Sequence, residues 1–327
     1  MLVAVTGATG HIGANLVRSL VARGLRPRVL VHQRSRAALE GLAVDEFAGD
    51  VADPQSLLRL FDGAEIVYHL AAKISLDDRE KALMRATNVG GVRNVVAACL
   101  QQRVRRLVHF SSIHALSTLP KAQRVDETRP LVTNESVPPY DRSKADGERE
   151  IKEGLERGLD VVTVNPTGVT GPNDFGPSHM GELVLDLFRG KLPGIVDGGF
   201  NWVDVRDVAE AAISAGEKGR KGERYLLSGF RATIVEVCAI LESIGGAKTP
   251  KIVSPMWLAR GAAPFAVGWA RLVKRRPLFT PTSLVALRNH QQISGERARV
   301  ELGHTVRPLE DTVRDAFAWF GATGMLA

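Results

Sequence analysis

The sequence predicts an α/β fold: a doubly wound parallel sheet with a smaller, mostly helical C-terminal lobe. Short runs rich in Val, Ile and Leu alternate with amphipathic segments through the first half of the 327-residue chain. A glycine-rich turn joins the first apolar run to the first helical segment. Strands that are buried on both faces have continuous apolar sequences, and right-handed crossovers between them place helices on both sides of the sheet.

The elements follow from these patterns in chain order. The strand candidates are 2–5, 28–31, 66–70, 106–110, 160–164, 201–205 and 224–227, and the last two are expected to return to the main sheet. The helical candidates are 12–23, 81–101 and 140–157. Beyond Pro166 the pattern is less regular, and the chain from about Thr233 to Phe320 is mostly helical. We predict a core at 1–172, with 201–228 returning to it, and a substrate-binding lobe at 173–200 and 229–327.

The composition excludes several classes of protein. Hydrophobic residues make up 44% and charged residues 24%, so the chain is neither disordered nor fibrous. Cys99 and Cys238 have no metal-binding spacing, which indicates no metal site and reduced thiols in a cytoplasmic protein. The N-terminus lacks the pattern of a signal peptide. The net charge of +7 comes from scattered basic residues, with few aromatic residues to stack on bases, and does not favour nucleic-acid binding.

The most membrane-like stretch is 255–273, which carries Arg260 and Arg271 and is interrupted by Pro264. A helix that spans a bilayer needs about 20 mostly apolar residues. We therefore assign the stretch to the helical lobe. Weak contact of the segment from Trp257 to Arg276 with a membrane surface, or with a hydrophobic ligand, is an open alternative.

The turn after the first strand, residues 6–13, has the sequence TGATGHIG and the spacing GxxGxxG. Its first glycine permits a tight turn, its second allows a pyrophosphate to approach the backbone, and its third lets the helix pack on the sheet. The helix N-terminus adds free N–H groups and a positive dipole end. The residues predicted to contact a dinucleotide here are Gly7, Thr9, Gly10, His11, Ile12 and Gly13.

The end of the second strand predicts the form of the cofactor. An acidic residue at this place binds the adenosine ribose of NAD, whereas a basic residue accommodates the 2′-phosphate of NADP. The chain has no acidic residue between His32 and Arg36, but it has Arg34 and Arg36. We predict that NADP(H) is preferred, with NAD(H) as the alternative.

A Ser, Tyr and Lys constellation predicts proton chemistry at the carboxyl edge of the sheet. Tyr140 and Lys144 are four residues apart and share one helix face. A nearby ammonium stabilises a phenolate, so we expect Lys144 to lower the pKa of Tyr140. Ser111 and Ser112 follow a strand at the edge where open α/β sheets bind ligands, and a serine hydroxyl there can bind a substrate carbonyl.

With these motifs the chain resembles the extended short-chain dehydrogenase/reductase family over nearly its whole length. Residues 49–53 resemble the family segment at the adenine, 69–72 the stretch beside the nicotinamide, 87–91 the Asn-Val-x-Gly-Thr helix segment, and 165–172 the loop Arg-Pro-x-x-Val-Tyr-Gly-Pro. The resemblance implies cofactor contacts from Tyr140, Lys144 and also from Asp50, Val51, Leu70, Ala71, Ala72, Asn88, Pro166, Thr167, Gly168 and Val169.

The resemblance also implies catalytic roles. Tyr140 is the expected acid/base, Lys144 binds the nicotinamide ribose and tunes Tyr140, and Ser112, rather than Ser111, polarises the carbonyl. In this family the helices near 81–101 and 140–157 pair across a two-fold axis, which implies a homodimer. The sequence is most similar to the dihydroflavonol reductase, aldehyde reductase and 3β-hydroxysteroid dehydrogenase branch.

Three departures from the family pattern bear on the substrate. Asn165 replaces a common arginine, Thr170 a tyrosine and Asp204 a frequent histidine, which weakens the case for a nucleotide sugar. The candidate substrate contacts are Ile113, His114, Phe175, His179, Met180 and Phe200, a set with few fixed charges. We therefore expect an NADP(H)-dependent oxidoreductase acting on a mainly apolar carbonyl or alcohol. The alternatives are an NAD-dependent nucleotide-sugar epimerase or dehydratase, and a non-catalytic NADP-binding regulator.

Overall fold

The computed structural model describes most of the chain. The described residues are 1–32, 36–75, 78–133, 137–192, 194–245, 247, 249–263, 284–285, 287–289 and 292–326. The predicted cofactor contact Arg34 lies outside them. The basic and apolar segment from Trp257 to Arg276 is described only as far as residue 263.

The largest sheet has seven parallel strands in the order β10-β6-β5-β4-β1-β2-β3. Its strands are β1 (Val3–Thr6), β2 (Arg28–Val31), β3 (Asp45–Ala48), β4 (Ile66–His69), β5 (Arg106–Phe110), β6 (Val161–Pro166) and β10 (Arg224–Leu227). Two small sheets contain β7 (Gly168–Thr170), β8 (Ile195–Val196), β9 (Gly199–Asp204), β11 (Phe230–Thr233) and β12 (Val253–Ser254). The doubly wound α/β fold is confirmed.

Helices cover both faces of the main sheet. The named helices of the chain are α1 (His11–Ala22), α2 (Pro54–Phe61), α3 (Lys81–Arg85), α4 (Gly91–Gln101), α5 (Pro139–Glu156), α6 (His179–Phe188), α7 (Val205–Lys218), α8 (Ile234–Ile244) and α9 (Leu309–Ala322). Of these, α6, α8 and α9 pack in the smaller lobe. A π-helical turn at Ala86–Gly90 joins α3 to α4, so the predicted helix over 81–101 is continuous but not regular. Residues 256–263 are also helical.

The core is split by the sheet into two apolar layers. On one face α1 and α7 pack over residues such as Val5, Tyr68 and Val108. On the other face α2, α4 and α5 pack over Leu107 and Val161. The free Cys99 lies fully buried in this second layer. Each large aliphatic side chain buried in this way stabilises the fold by about 1.5–3 kcal/mol.

The smaller lobe has its own apolar cluster. Trp202 and Leu241 are buried in it, together with the other free thiol, Cys238. The predicted strand 201–205 belongs to this part, since β9 pairs with β7 and β11, and its expected return to the main sheet is wrong. The predicted return of 224–227 is confirmed, because β10 pairs with β6. Among the described helices, none has the length and apolar content needed to cross a bilayer.

Candidate active site

The glycine loop is shaped so that only glycine fits at two of its positions. Gly7 has φ +75°, and a Cβ atom there would lie 2.6 Å from the amide nitrogen of Ala71. A Cβ atom on Gly13 would lie 2.1 Å from the carbonyl oxygen of Gly7. Helix α1 begins with Gly10 as N-cap, without a side-chain cap and without an acidic residue in its first turn. The first N–H groups of α1 are therefore available to an anion, and the loop fits the diphosphate of a dinucleotide.

The side chain of His11 is directed away from this loop. Its Nε2 atom lies 3.1 Å from the carbonyl oxygen of Pro172, and its Nδ1 atom lies 3.8 Å from a carboxylate oxygen of Asp174. Asn15 donates a second hydrogen bond to Pro172, at 3.0 Å. The loop after β7 is thereby fastened to α1, and the His11 ring is engaged with that loop.

At the end of β2, His32 lies 3.1 Å from a carboxylate oxygen of Asp50. Both side chains are half exposed. The next predicted contact, Val51, is buried, and its carbonyl oxygen accepts a hydrogen bond of 3.0 Å from Asn94 on α4. Arg36 begins a short 3₁₀ turn that runs to Leu39. The proposed recognition of a 2′-phosphate by Arg34 and Arg36 therefore rests on the sequence.

Asn88, in the π-helical turn, connects the loop after β4 with α5. Its side chain accepts a hydrogen bond from the amide of Lys73 at 2.8 Å and donates one to the Lys73 carbonyl at 2.9 Å. It also donates to the hydroxyl of Ser143, which in turn donates to the carbonyl oxygen of Tyr140 at 2.8 Å. The segment with Leu70, Ala71 and Ala72 is thus held relative to Tyr140.

Tyr140 and Ser112 lie together, as predicted. Helix α5 begins with Pro139 at its first position, which suits the unpaired N–H groups there, and this places Tyr140 in the first turn. The Ser112 hydroxyl lies near the phenol and acts to lower its pKa. Ser111 is also buried, but within the described residues its hydroxyl has no hydrogen-bond partner. Ser112 is therefore the serine that contacts Tyr140.

The predicted lowering of the Tyr140 pKa is wrong for this structure. Burial raises the pKa of Tyr140 to about 12, with a smaller contribution from the charge of Asp141, while the hydrogen bond with Ser112 acts in the opposite direction. Lys144 directs its ammonium group at the carbonyl oxygen of Phe110, at 2.7 Å. Burial lowers the pKa of Lys144 to about 8, and the charge of Glu148 opposes that shift.

A buried hydrogen-bond network that the sequence did not predict holds the main chain of Ser112. The side-chain amide of Asn165, at the end of β6, donates to the carbonyl oxygen of Ser112 at 3.0 Å and to Glu148 at 2.7 Å. Glu148 forms an ion pair with Arg224 on β10. Asn165 was noted only as a departure from the family pattern. The sequence does hold a signal for this network. Glu148 follows Lys144 by about one helical turn, and Asn165 and Arg224 are polar residues within apolar strands.

The loop 166–170 and the smaller lobe meet beside this site. A Cβ atom on Gly168 would lie 3.3 Å from the methyl carbon of Met180 and 3.5 Å from Cβ of Phe200, so both side chains are adjacent to the predicted cofactor loop. The hydroxyl of Thr167 donates to Asn201 at 2.8 Å. Gly168 and Val169 pair with β9. Met180 and Phe200 are thus the two predicted substrate contacts that lie beside this loop, and their role stays a prediction.

His114 lies next to Tyr140, with ring centroids 5.9 Å apart, and its Nδ1 atom is 3.3 Å from Asp141. The remaining candidate substrate contacts, Ile113, Phe175 and His179, are each in contact with other parts of the protein. Ile113 is buried with Leu116, Val125 and Leu226. Phe175 packs between Arg18 and Trp319, and His179 lies 3.7 Å from Glu182.

A cavity of about 450 Å³ opens on the smaller lobe. Its lining residues are Asp197, Pro255, Met256, Trp257, Arg260 and Arg288. None of them belongs to the predicted catalytic set, and the chemistry described above does not involve this cavity. The side chain of Trp257 is 73% exposed.

Three comparisons with known proteins show the family and the fold of the chain. A family model described as the NAD dependent epimerase/dehydratase family matches residues 3–228. The chain is 37% identical to sterol demethylase protein B of Methylococcus capsulatus, with all of both chains covered. It is 29% identical to a 4-hydroxy-2-methyl-3-oxo-4-farnesyl-3,4-dihydroquinoline-1-oxide ketoreductase of Stigmatella aurantiaca, over 98% of this chain and 96% of that one. The crystal structure of gox2253 superposes with a TM-score of 0.87 at 32% identity, over 100% of this chain and 99% of that chain.

Proposed function

The chain belongs to the NAD-dependent epimerase/dehydratase family of extended short-chain dehydrogenases/reductases, and we propose that it is an NADP(H)-dependent carbonyl reductase or alcohol dehydrogenase. Its substrate would be a mainly apolar molecule of sterol, flavonoid or isoprenoid type. The observation that carries the proposal is the placement of the Ser112 hydroxyl near the Tyr140 phenol, with Lys144 one helical turn away. The bound nicotinamide would supply or accept the hydride.

The residues around Tyr140 suit proton transfer to a carbonyl oxygen. Because the pKa of Tyr140 is about 12, the phenol is protonated at neutral pH and can donate. The Ser112 hydroxyl beside it can donate a second hydrogen bond to the same oxygen, which stabilises the negative charge that develops there. The Lys144 ammonium is held at the carbonyl of Phe110, one helical turn from Tyr140, and would bind the nicotinamide ribose.

The surroundings favour an apolar substrate. Met180 and Phe200 lie beside Gly168 and add no charge. Asp204, Asp207 and Asp315 neutralise Arg206 and Arg307 in ion pairs, so these arginines are engaged within the protein instead of facing a diphosphate. The two curated relatives reported above are named for a sterol and for a farnesylated ketone. All three observations support an apolar ring ketone or its alcohol over a nucleotide sugar.

The cofactor preference, the location and the oligomeric state in this proposal rest on the sequence and on the family resemblance. The preference for NADP(H) rests on Arg34 and Arg36, and a cytoplasmic homodimer through the helices over 81–101 and 140–157 rests on the family resemblance. Contact of Trp257 with a membrane surface stays a prediction. Sedimentation equilibrium tests the dimer, and flotation with vesicles containing anionic lipid tests the membrane contact.

Titration of the purified protein with NADPH and with NADH, followed by nicotinamide fluorescence, tests the proposed cofactor. We expect tighter and freely exchanging binding of NADPH. NADPH oxidation is then followed with cholestan-3-one and farnesylacetone as apolar ketones and with UDP-glucose as the competing class. Turnover of a ketone supports the proposal. NAD that copurifies and does not exchange, together with activity on UDP-glucose, would replace it by an epimerase. Binding without turnover of any probe would favour the non-catalytic alternative.

A further inference from the structure

One side of helix α1 carries three polar residues, His11, Asn15 and Arg18, that all reach the loop after β7. Residues three and four positions apart lie on the same side of a helix, so these side chains form one row. The His11 ring and the Asn15 amide contact the carbonyl oxygen of Pro172, at 3.1 and 3.0 Å. At the far end of the row, the guanidinium carbon of Arg18 lies 5.0 Å from the centre of the Phe175 ring. The loop therefore lies along α1 from its first turn to its second half.

Arg18 also contacts the turn that follows β2. Its Nη1 atom donates to the carbonyl oxygen of Ala38 at 2.8 Å and to that of Ala14, one helical turn earlier, at 2.9 Å. Ala38 belongs to the 3₁₀ turn Arg36–Leu39 and is buried. Because a guanidinium is planar and rigid, the two bonds from one nitrogen fix its place between the helix and the turn. Arg18 therefore fixes the position of this turn relative to α1.

The positive charge of Arg18 is not neutralised by a carboxylate among the described residues, since both of its hydrogen bonds go to main-chain oxygens. Arg23, at the end of the same helix, instead pairs with Glu210 and Glu217. The segment 33–39 adds no acidic residue. Burial lowers the pKa of Arg18, but an arginine remains charged at neutral pH. A partly buried charge is stabilised by an opposite charge, so this guanidinium favours an anionic ligand nearby.

The turn held by Arg18 lies where the two nicotinamide cofactors differ. In a dinucleotide-binding fold the adenosine ribose lies at the end of the second strand, and here β2 ends at Val31. Arg36, which the sequence predicts to accommodate a 2′-phosphate, is the first residue of the turn. NADP carries a phosphate where NAD has a hydroxyl. A residue that acts at this place therefore changes the affinity for NADP without contacting the nicotinamide or the substrate.

We propose that Arg18 is a specificity-determining residue for NADP(H). Its hydrogen bond to Ala38 positions the turn that begins with Arg36, and its unneutralised charge attracts the 2′-phosphate. Phe175 holds the guanidinium from the side of the loop after β7, so its ring is assigned to the cofactor side of the site instead of the substrate. The inference rests on the proposed preference for NADP(H).

The Kd values for NADPH and for NADH, measured by nicotinamide fluorescence, test the proposal. Arg18→Gln keeps a long polar side chain and removes the charge. We expect it to raise the Kd for NADPH by about 10–100-fold, as the loss of a hydrogen-bonded charged group does, and to change the Kd for NADH less than about twofold. Arg18→Lys keeps the charge without the planar fork and should give an intermediate Kd for NADPH. Phe175→Leu should raise this Kd by about 2–5-fold, because it removes the aromatic face.

The matched control is Arg23→Gln, which removes a charge at the end of the same helix, where the partners are Glu210 and Glu217. It should leave both Kd values unchanged. In Arg18→Gln, an equal rise of the two Kd values, or no rise in either, would overturn the proposal, because a structural role alone does not distinguish the cofactors. An equally large loss of NADPH affinity in Arg23→Gln would do the same, since it would show an effect of net charge.

Hydrogen exchange measured by mass spectrometry without cofactor separates this proposal from the proposed function. The amide groups of Glu40 and Leu42 donate to carbonyl oxygens of the turn, at 3.4 and 3.1 Å. Because Arg18 holds the turn, we expect these amides to exchange faster in Arg18→Gln than in wild type, and at the wild-type rate in Arg23→Gln. Unchanged exchange in Arg18→Gln would overturn the positioning role, even if wild type prefers NADPH. Equal affinity of wild type for NADPH and NADH, with faster exchange in the variant, would instead overturn the proposed preference for NADP(H).

Discussion

The side-chain amide of Asn165 holds the main-chain carbonyl of Ser112, at 3.0 Å, and its other hydrogen bond goes to Glu148 on α5. One buried side chain therefore links the strand β6, the predicted catalytic serine and the helix that carries Tyr140 and Lys144. The hydroxyl of Ser112 is further restrained because it accepts the amide N–H of His114, at 3.2 Å. The relative position of the serine and the tyrosine is set by this network as well as by their own contact.

Asn165→Ala should release the Ser112 carbonyl. We expect kcat to fall about 10-fold or more, because a small displacement of a catalytic group costs transition-state stabilisation, while the Kd for the cofactor changes little. Asn201→Ala is the matched control, since Asn201 is an amide on β9 that bonds to Thr167 and Gly229 instead of Ser112. An equal loss of kcat in both variants would show that the effect is not specific to Ser112.

Tyr140→Phe removes the proposed proton donor and keeps the ring. We expect kcat to fall by about 10²–10⁴-fold with unchanged binding of NADPH, because the ring still packs in the first turn of α5. Stopped-flow measurement of NADPH oxidation together with fluorescence titration checks both quantities. Retention of most of the wild-type rate would exclude Tyr140 as the acid.

Ser112 and Ser111 provide a matched pair. Both are buried, but the Ser112 hydroxyl acts on the pKa of Tyr140, whereas the Ser111 hydroxyl has no hydrogen-bond partner among the described residues. Ser112→Ala should lower kcat by about 10–1,000-fold, as the loss of a donor to a developing oxyanion does, whereas Ser111→Ala should have a much smaller effect. Steady-state kinetics of the two variants side by side decides the assignment, and the reverse order would move the role to Ser111.

The pKa of Lys144 predicts an alkaline limit of activity. Because burial lowers this pKa to about 8, the ammonium form is lost as the pH rises through about 8, and kcat/KM for NADPH should then decline. The charge of Glu148 raises this pKa, so Glu148→Gln should move the decline to lower pH. Asp146→Asn is the control, because Asp146 pairs with Arg85 and Arg149. A decline at the same pH in Glu148→Gln would contradict the assignment.

The lowered pKa of Lys144 also makes the stability of the fold depend on pH. The folded state binds the Lys144 proton less tightly than the unfolded chain does, for which the pKa is 10.5. Between about pH 8 and 10.5 the unfolded state therefore holds more protons, and this group makes the free energy of unfolding rise with pH. Below pH 8 its buried charge costs up to about 3 kcal/mol. The stability of wild type relative to Lys144→Met, measured by urea unfolding, should increase from pH 7 to pH 10.

Gly13→Ala should disturb the glycine loop. Its Cβ atom would lie 2.1 Å from the carbonyl oxygen of Gly7, so the backbone must move, at a cost of about 1–3 kcal/mol. We expect a lower Tm and weaker binding of NADPH. Gly90→Ala is the control, because a Cβ atom at this helical position would meet no atom within 4 Å. Equal losses in the two variants would mean that crowding at Gly13 is not the cause.

The parts of the fold with a strong local pattern were predictable. The apolar strands β1, β2, β4, β5, β6 and β10 were found from the sequence, as was the helix that places Tyr140 and Lys144 four residues apart. Strand β3 was not, because its sequence DEFA has no continuous apolar run, and it lies at the edge of the sheet, where all four residues are partly or largely exposed. The strand at 201–205 was assigned to the wrong sheet, since an apolar run indicates burial but not the partner strand.

In the candidate site, too, features with a local sequence pattern were predictable and those set by the tertiary fold were not. The spacing of Tyr140 and Lys144 placed both on one helix face, and the family resemblance singled out Ser112 over Ser111. The direction of the Tyr140 pKa did not, because it depends on burial and on where the Lys144 ammonium points, which is at Phe110. The partners of Asn165 were also out of reach, since Ser112, Glu148 and Arg224 come together only through the tertiary fold.

The two cysteines of the chain are distributed so that each of two apolar clusters contains one thiol. Cys99 lies in the layer beneath α2, α4 and α5, and Cys238 in the cluster of the smaller lobe. A buried thiol reacts with a disulfide reagent only when its surroundings open. The two labelling rates of the native protein, without any engineered probe, therefore report separately how often the nucleotide-binding core and the smaller lobe unfold locally.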